Sequence, residues 1–276
     1  MAPRRSAPRL TATALACVLA LALAGCGRSP QRDREPAQAG PAPTATGASA
    51  ATAQRGSSGG PGAHPATGPR LPAGAVALAA LATTDVTVWS APGNRDVVAL
   101  FPANQRAGVP TPFLVRQSRE AAGRTWYQVL LPRRPNGSIG WVRGDQVRLV
   151  PLSRRVEVDL SARRLELFEG DQLARTYPVA VGRPSAPTPT GRFFITIKLH
   201  PPEISSVYGN WALGLSGYSN VLDQFGTGNG QIALHGTSRT SDIGQAVSHG
   251  CVRLVNPAIS ALANALPLGT PVTIKP

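Results

Sequence analysis

The sequence predicts a mainly β chain with two folded units that follow a long N-terminal segment. Residues 76–150 contain short runs rich in Val, Leu, Trp and Tyr, separated by Gly, Pro and Asn, which is typical of short strands joined by turns. Residues 156–160 and 165–168 alternate between apolar and polar side chains, which indicates half-buried strands. One helical pattern, at 256–266, is the only clear exception to the β pattern.

Residues 1–25 have the pattern of a secretory signal peptide. Three early arginines precede the apolar run 10–24, which is shorter than the roughly 20 residues that span a bilayer. The run ends in L-A-G-C, which resembles a bacterial lipobox cut before Cys26. We therefore expect a lipid on Cys26 that anchors the protein on the outer face of the cytoplasmic membrane. An ordinary cleaved signal is the alternative.

Residues 26–74 are predicted to form a disordered tether. They are mostly Pro, Ala, Gly, Ser and Thr with scattered Arg, and large apolar side chains are almost lacking. Such a segment cannot bury enough apolar surface to offset the entropy lost on ordering.

The first folded unit is predicted at 75–152 as a small β-barrel. Its strands are expected in D-V-T-V-W-S-A-P, F-L-V-R-Q, T-W-Y-Q-V-L-L and G-W-V-R-G-D-Q-V-R-L-V, with a hairpin-like turn in P-N-G-S-I-G-W. W-Y-Q-V-L-L followed by G-W-V resembles the closing strands of bacterial SH3-like modules. The alternative is an unrelated β domain.

The second folded unit is predicted at 153–276. Its strands are expected at 156–159, 164–168 and 174–180, in T-P-T-G-R-F-F-I-T-I-K-L, in a strand that ends at His235, and in T-P-V-T-I-K-P. The helix is expected to begin with Asn256 as N-cap and Pro257 in the first helical position.

The charge balance restricts the partners. The formal net charge is +14, from 28 basic and 14 acidic residues, and nearly all the basic residues are Arg. No basic helix or nucleic-acid motif accompanies this charge, so we expect no nucleic-acid partner. An anionic wall or membrane surface would attract such a chain, and a solubilising arginine bias explains the charge equally well.

Cys251 is the candidate nucleophile because it would be the only thiol of the mature protein. Cys17 lies in the signal and Cys26 would carry lipid, so Cys251 has no intramolecular disulfide partner. A thiol attacks as its thiolate, and therefore needs a nearby base or positive charge. His249 lies two residues before it and His235 sixteen residues upstream.

Two other interpretations of Cys251 remain at this point. It could be a small buried apolar residue, or one ligand of a zinc site with His235 and His249, although a fourth ligand at clear spacing is lacking. We expect neither a metal nor a cofactor.

H-G-T at 235–237 and S-H-G-C-V-R-L at 248–254 resemble the motif of the L,D-transpeptidase (YkuD-domain) family. V-A-V-G-R-P-S-A-P-T-P-T-G-R-F-F-I and Y-G-N-W-A-L-G-L-S-G-Y-S-N-V-L match as well. The resemblance covers about 155–276 and implies a YkuD-type β-sandwich catalytic domain with a short helix. The coupling to an SH3-like module resembles actinobacterial lipoprotein members. Leu254 departs from members that have Asn there.

The resemblance also implies roles for these residues. Cys251 is the nucleophile, His235 the general base and the Gly236 carbonyl the group that orients the imidazole. The oxyanion and substrate region is formed by Ser248, His249, Gly250 and Arg253. An imidazolium at His235 would also lower the pKa of the thiol. Local spacing instead favours His249 as base, because residues i and i+2 of a strand share a face.

The implied reaction is acyl transfer between peptidoglycan stem peptides in the cell envelope. The thiolate attacks the carbonyl of the third stem residue, D-Ala leaves, and the amine of a second stem resolves the acyl-enzyme as a 3→3 crosslink. Water as acceptor would give L,D-carboxypeptidase activity instead. A wall-binding lipoprotein without catalysis is the alternative of a different class.

Overall fold

The structure, a computed structural model, describes residue 68 and residues 70–105, 108–201, 207–224 and 228–276. They belong to one compact region, Ser58–Pro276, which contains both of the predicted folded units. The predicted signal peptide at 1–25, the lipidated Cys26 and nearly all of the tether at 26–74 lie outside these residues. Within the described ranges, no helix has the length and apolarity to cross a membrane.

The first sheet is antiparallel and has seven strands in the order β3-β2-β6-β5-β4-β1-β7. The strands are β1 (Ala77–Ala82), β2 (Val86–Trp89), β3 (Val97–Phe101), β4 (Pro112–Ala121), β5 (Arg124–Leu130), β6 (Ile139–Arg143) and β7 (Val147–Leu152). The turn expected in P-N-G-S-I-G-W joins β5 to β6, which pair antiparallel.

Two strands of this sheet, β1 and β3, were not predicted, and one expected run is divided into two strands. The sequence of β1 is A-L-A-A-L-A, and Ala has low strand propensity. It is nevertheless a strand because it pairs with β4 on one side and β7 on the other. The expected run G-W-V-R-G-D-Q-V-R-L-V is two strands, since a 3-10 turn at Gly144–Gln146 separates β6 from β7.

The second sheet has eight strands in the order β10-β9-β8-β17-β12-β13-β14-β16. Its elements, with the small parallel pair β11–β15 and the helix, are β8 (Arg154–Asp159), β9 (Arg164–Glu169), β10 (Gln172–Pro178), β11 (Val181–Gly182), β12 (Gly191–Leu199), β13 (Ala212–Tyr218), β14 (Gln231–Thr237), β15 (Ala246–Ser248), β16 (Val252–Val255), α1 (Asn256–Ala265) and β17 (Pro271–Lys275). The mainly β fold class with one helix is confirmed.

Two boundaries in this unit differ from the predictions. The N-cap is Val255, so Asn256 is the first helical residue and the N-cap prediction is wrong. The Asn256 side chain is used elsewhere, because its Oδ1 accepts a hydrogen bond from the Asn210 amide at 3.2 Å. β14 does not end at His235 but continues to Thr237, because the parallel partner β16 extends the ladder.

The two sheets are packed together through an apolar contact. Leu114 of β4, Leu130 of β5 and Phe194 of β12 form a buried cluster, and Phe194 is fully inaccessible to solvent. Burying a side chain of this size stabilises a fold by roughly 1.5–3 kcal/mol. The first sheet is therefore fixed against the sheet that carries the candidate catalytic residues.

Candidate active site

The candidate nucleophile and base lie on neighbouring parallel strands. In the β14–β16 ladder Leu234 is opposite Val252 and His235 is opposite Arg253. Cys251 immediately precedes β16, and because side chains alternate along a strand, Cys251 and Arg253 share a face. Ala233 and His235 share a face of β14 for the same reason.

These side chains meet in one cavity of about 290 Å³. Its walls come from β12, β13, β14, the β13–β14 connection and the 248–251 turn. The lining residues are Ile197, Leu199, Pro201, Val207, Tyr208, Ala212, Gly214, Ser219, Leu222, Gly228, Asn229, Gly230, Gln231, Ile232, Ala233, His235, Ser248, His249, Cys251 and Arg253. The structure thus brings His235, Ser248, His249, Cys251 and Arg253 together.

His235 is held in one orientation by its own strand. Its side chain is 2% exposed, and its Nδ1 lies 2.6 Å from the carbonyl oxygen of Gly236. A carbonyl only accepts, so Nδ1 carries the proton in the neutral ring and donates it to Gly236. Nε2 is then the unprotonated nitrogen, which is the form that a general base requires.

Burial keeps both reacting groups neutral in the resting site. It lowers the pKa of His235 to about 4, against the smaller effect of the hydrogen bond to Gly236, and Arg253 lowers it further. Burial also raises the pKa of the Cys251 thiol, and a backbone hydrogen bond from Ala233 and the charge of Arg253 only partly oppose this. The lowered pKa of His235 argues against the expected imidazolium beside the thiol in the resting site.

Ser248 and Gly250 form the turn that presents Cys251. The Ser248 hydroxyl donates to the Cys251 carbonyl at 2.6 Å, and the Gly250 amide donates to the Ser248 oxygen at 3.1 Å. Gly250 has φ +116°, which an L side chain rarely adopts. The contacts of Ser248 and of the Gly250 amide thus lie inside the turn rather than in the cavity.

Arg253 is paired with a carboxylate that the sequence analysis missed. Its Nη1 lies 2.6 Å from Oδ2 of Asp242, and the two side chains are 15% and 19% exposed. Within the described ranges, the buried Arg253 Nε has no hydrogen-bond partner. Asp242 stands in a 3-10 turn, Thr240–Asp242, eleven residues before Arg253, and no motif marks it.

Tyr208 and His249 also line the cavity beside His235 and Cys251. Tyr208 contacts His235 edge-on with ring centroids 5.2 Å apart, and burial followed by the charge of Cys251 raises its pKa. His249 is partly buried at the cavity, and burial, Arg183 and Arg253 lower its pKa. Tyr208 lies in a stretch that carried the resemblance, but no signal singled it out. Tyr218 lies outside the cavity lining and donates to the Pro132 carbonyl at 3.0 Å.

The zinc alternative finds no donor set here. Among the described residues, which include His235, His249 and Cys251, no three His, Cys, Asp or Glu side chains are grouped to hold a metal ion.

Comparison with known proteins identifies the second unit. Residues 153–274 match the profile of YkuD, the L,D-transpeptidase catalytic domain. The L,D-transpeptidase-family protein YkuD of Bacillus licheniformis is 36% identical over 167 residues, which are 58% of this chain and 93% of that protein. YkuD of Bacillus subtilis is 31% identical over 153 residues, 53% of this chain and 84% of that protein.

A solved L,D-transpeptidase from Mycobacterium smegmatis is a more distant likeness. It has a TM-score of 0.38 and 17% identity, and the match covers 60% of this chain and 100% of that one. Membership therefore rests on the sequence matches, which cover nearly the whole of a relative, and the family profile spans every candidate residue of the active site. On that basis the chain belongs to the L,D-transpeptidase catalytic-domain (YkuD) family.

Proposed function

We propose that the chain is a peptidoglycan L,D-transpeptidase in which Cys251 is the nucleophile and His235 the general base. One observation carries the assignment. The two side chains line one cavity from adjacent parallel strands, and the Gly236 carbonyl holds His235 in the tautomer that leaves Nε2 free. Family membership supports the reaction class, and the geometry supports the roles.

Acylation begins from a neutral thiol and a neutral imidazole. The lowered pKa of His235 and the raised pKa of Cys251 disfavour a preformed imidazolium–thiolate pair. The proton therefore moves from Sγ to Nε2 only as the sulfur attacks and the carbon–sulfur bond forms. The carbon–sulfur bond forms at the carbonyl of the third stem residue, and the carbonyl oxygen becomes an oxyanion. When the oxyanion collapses, the amide bond breaks, His235 returns the proton to the departing D-Ala amine, and a thioester remains.

In deacylation His235 takes a proton from the attacking amine and returns it to the sulfur. The side-chain amine of a second stem attacks the thioester carbonyl, His235 accepts its proton, and the thiolate leaves and is reprotonated. The product is a 3→3 crosslink. Thiolate is a better leaving group than an alkoxide, which suits Cys251 to both half-reactions.

The remaining site residues receive narrower roles. Ser248 and Gly250 shape the turn, since the Gly250 amide donates to Ser248. Within this proposal the Cys251 amide is the backbone donor to the oxyanion. Arg253 holds positive charge at the cavity, and His249 contributes to the substrate side.

The N-terminal features belong to the same proposal. A lipid on Cys26 would keep the enzyme on the outer face of the membrane, with residues 26–74 as tether and 75–152 as an SH3-like module of the actinobacterial lipoprotein type. L-A-G-C at 23–26 supports the anchor. A mature N-terminus other than Cys26, found by mass spectrometry, would remove it.

The test uses the full chain with tetrapeptide stems that end in D-Ala. A transpeptidase gives a crosslinked dimer that has lost one D-Ala, together with a thioester on Cys251, and Cys251→Ala gives neither. Tripeptide without dimer would identify a carboxypeptidase instead. If a folded wild type forms no product, the remaining interpretation is a wall-binding protein without catalysis.

A further inference from the structure

One wall of the active-site cavity, in the second sheet, is held in place by side chains from the first sheet. The connection between β13 and β14, of which residues 219–224 and 228–230 are described, lines the cavity with Ser219, Leu222 and Gly228–Gly230. The β13–β14 ladder shifts register between Gly214 and Tyr218, just before this connection. Regular pairing therefore does not by itself fix the shape of the wall.

A single guanidinium spans the connection. Arg134, in the hairpin between β5 and β6, donates through Nη1 to the Ser219 carbonyl at 2.6 Å. Its Nη2 donates to the carbonyls of Leu222 at 2.9 Å and Asn229 at 3.3 Å. The three acceptors come from both ends of the connection. Arg is suited to this because its donors form a rigid planar fork and it stays protonated.

Asn136 and Tyr218 reinforce the same contact. The Asn136 side chain pairs with the Tyr218 backbone in both directions, donating to its carbonyl at 2.7 Å and accepting from its amide at 2.8 Å. The Arg134 guanidinium also lies over the Tyr218 ring, 5.1 Å from its centroid. A side chain of the first sheet thus satisfies the backbone at the end of β13.

Gly230 shows how closely the β13–β14 connection packs against the Arg134 guanidinium. A Cβ there would lie 2.7 Å from Arg134 Nη2 and 2.2 Å from the Leu222 carbonyl oxygen, and the residue has φ +75°. The Gly230 carbonyl accepts from the Ser219 amide at 2.8 Å, which closes the connection on itself. The close approach to the Leu222 carbonyl and the positive φ require glycine here, next to the guanidinium.

We propose that Arg134 is a positioning residue, through which the first sheet sets the shape of the substrate-binding wall and hence the affinity for the stem peptide. The inference rests on the proposed function. The wall carries no reacting group, so it contacts bound substrate and transition state alike. Loss of such uniform binding raises KM and leaves kcat nearly unchanged.

Steady-state kinetics of the full chain on tetrapeptide stems tests this. For Arg134→Ala we expect KM to rise about tenfold, as for the loss of charge-assisted hydrogen bonds, with kcat within about twofold of wild type. Iodoacetamide should alkylate Cys251 at the wild-type rate, because the small reagent does not need the wall. Arg124→Ala is the matched control, since Arg124 pairs with Asp145 on the exposed face of the same sheet, and its KM should not change.

Arg134→Lys keeps the positive charge but loses the planar set of guanidinium donors. It replaces Arg134→Ala in the experiment if the alanine variant does not fold. Its KM should lie between those of wild type and Arg134→Ala. An unchanged KM in a folded Arg134 variant overturns the inference, and so does a fall in kcat alone. If the wild type itself shows no turnover, the proposed function fails, and that outcome is distinct from a wild type that turns over with an Arg134-independent KM.

Discussion

Nδ1 of His235 lies 2.6 Å from the carbonyl oxygen of Gly236, the next residue in the chain. The backbone thus orients the imidazole where a carboxylate would do so in other catalytic triads. A neutral carbonyl adds no negative charge to support an imidazolium. This agrees with the lowered pKa of His235 and with a site that is neutral at rest.

His235→Ala should lower the rate of Cys251 acylation by stem peptides by about 10²–10⁴-fold, the usual contribution of a positioned base. The same variant should not raise the pKa of the thiol, because His235 carries no charge above about pH 4. The rate of iodoacetamide alkylation against pH measures the thiol, and intact mass measures the acyl-enzyme.

His249→Ala is the comparison for that experiment. It should slow turnover without abolishing acylation, since His249 is proposed to act on the substrate side of the cavity and His235 as the base. If His249→Ala loses more acylation than His235→Ala, the two roles must be exchanged.

His235 should also make the fold sensitive to acid. Its pKa is lowered from 6.5 to about 4 in the folded protein, so between these values the unfolded chain binds a proton that the folded chain does not. The free energy of unfolding therefore falls as the pH falls through this window, by roughly 3 kcal/mol from this group.

Urea unfolding of wild type and His235→Gln at pH 7 and pH 4 isolates the effect. The variant should lose less stability on acidification, because its amide does not titrate, while the carboxylates contribute equally to both. Equal losses in the two proteins would contradict the buried neutral imidazole.

Ser248→Ala should distort the position of the nucleophile. It removes the donor to the Cys251 carbonyl and the acceptor of the Gly250 amide at a position where Ser248 itself is buried. We expect the free energy of unfolding to fall by about 1–3 kcal/mol and kcat to fall with it. Ser248→Thr, which keeps the hydroxyl, is the control. Wild-type kcat in Ser248→Ala would show that the turn holds Cys251 without this residue.

The sequence predicted those parts of the site that local patterns encode. Cys251, His235 and the H-G pairs were recognisable because a motif places them, and the strands of the second unit because their apolar residues alternate. Asp242, Tyr208 and Arg134 were not recognisable, because no local pattern marks them and only the folded structure brings them to the site. β1 was missed since its alanines carry no strand preference, and neighbouring strands on both sides determine its conformation. The resting charge state also escaped prediction, since it depends on burial.

We expect Asp242 to reduce the positive charge that Cys251 experiences from Arg253. Its carboxylate lies 2.6 Å from the Arg253 guanidinium, and Arg253 is one of the groups that lower the pKa of the thiol. Asp242→Ala leaves the Arg253 charge uncompensated. The pKa of the Cys251 thiol should therefore fall, and iodoacetamide alkylation at pH 7 should become faster. The fold should lose about 1–3 kcal/mol, less than for a fully buried pair because both side chains are partly exposed.

Asp145→Ala is the matched control for that substitution. It breaks the pairs of Asp145 with Arg124 at 3.0 Å and with Arg143 at 2.9 Å. The Asp145, Arg124 and Arg143 side chains are 49%, 55% and 35% exposed, and such surface pairs contribute about 0–1 kcal/mol each. Neither the thiol titration nor the stability should change much. A slower alkylation of Asp242→Ala than of wild type would mean that Asp242 acts by holding Arg253 in place. In that case Arg253 would move away from Cys251 once Asp242 is removed, and the thiol would lose the nearby positive charge.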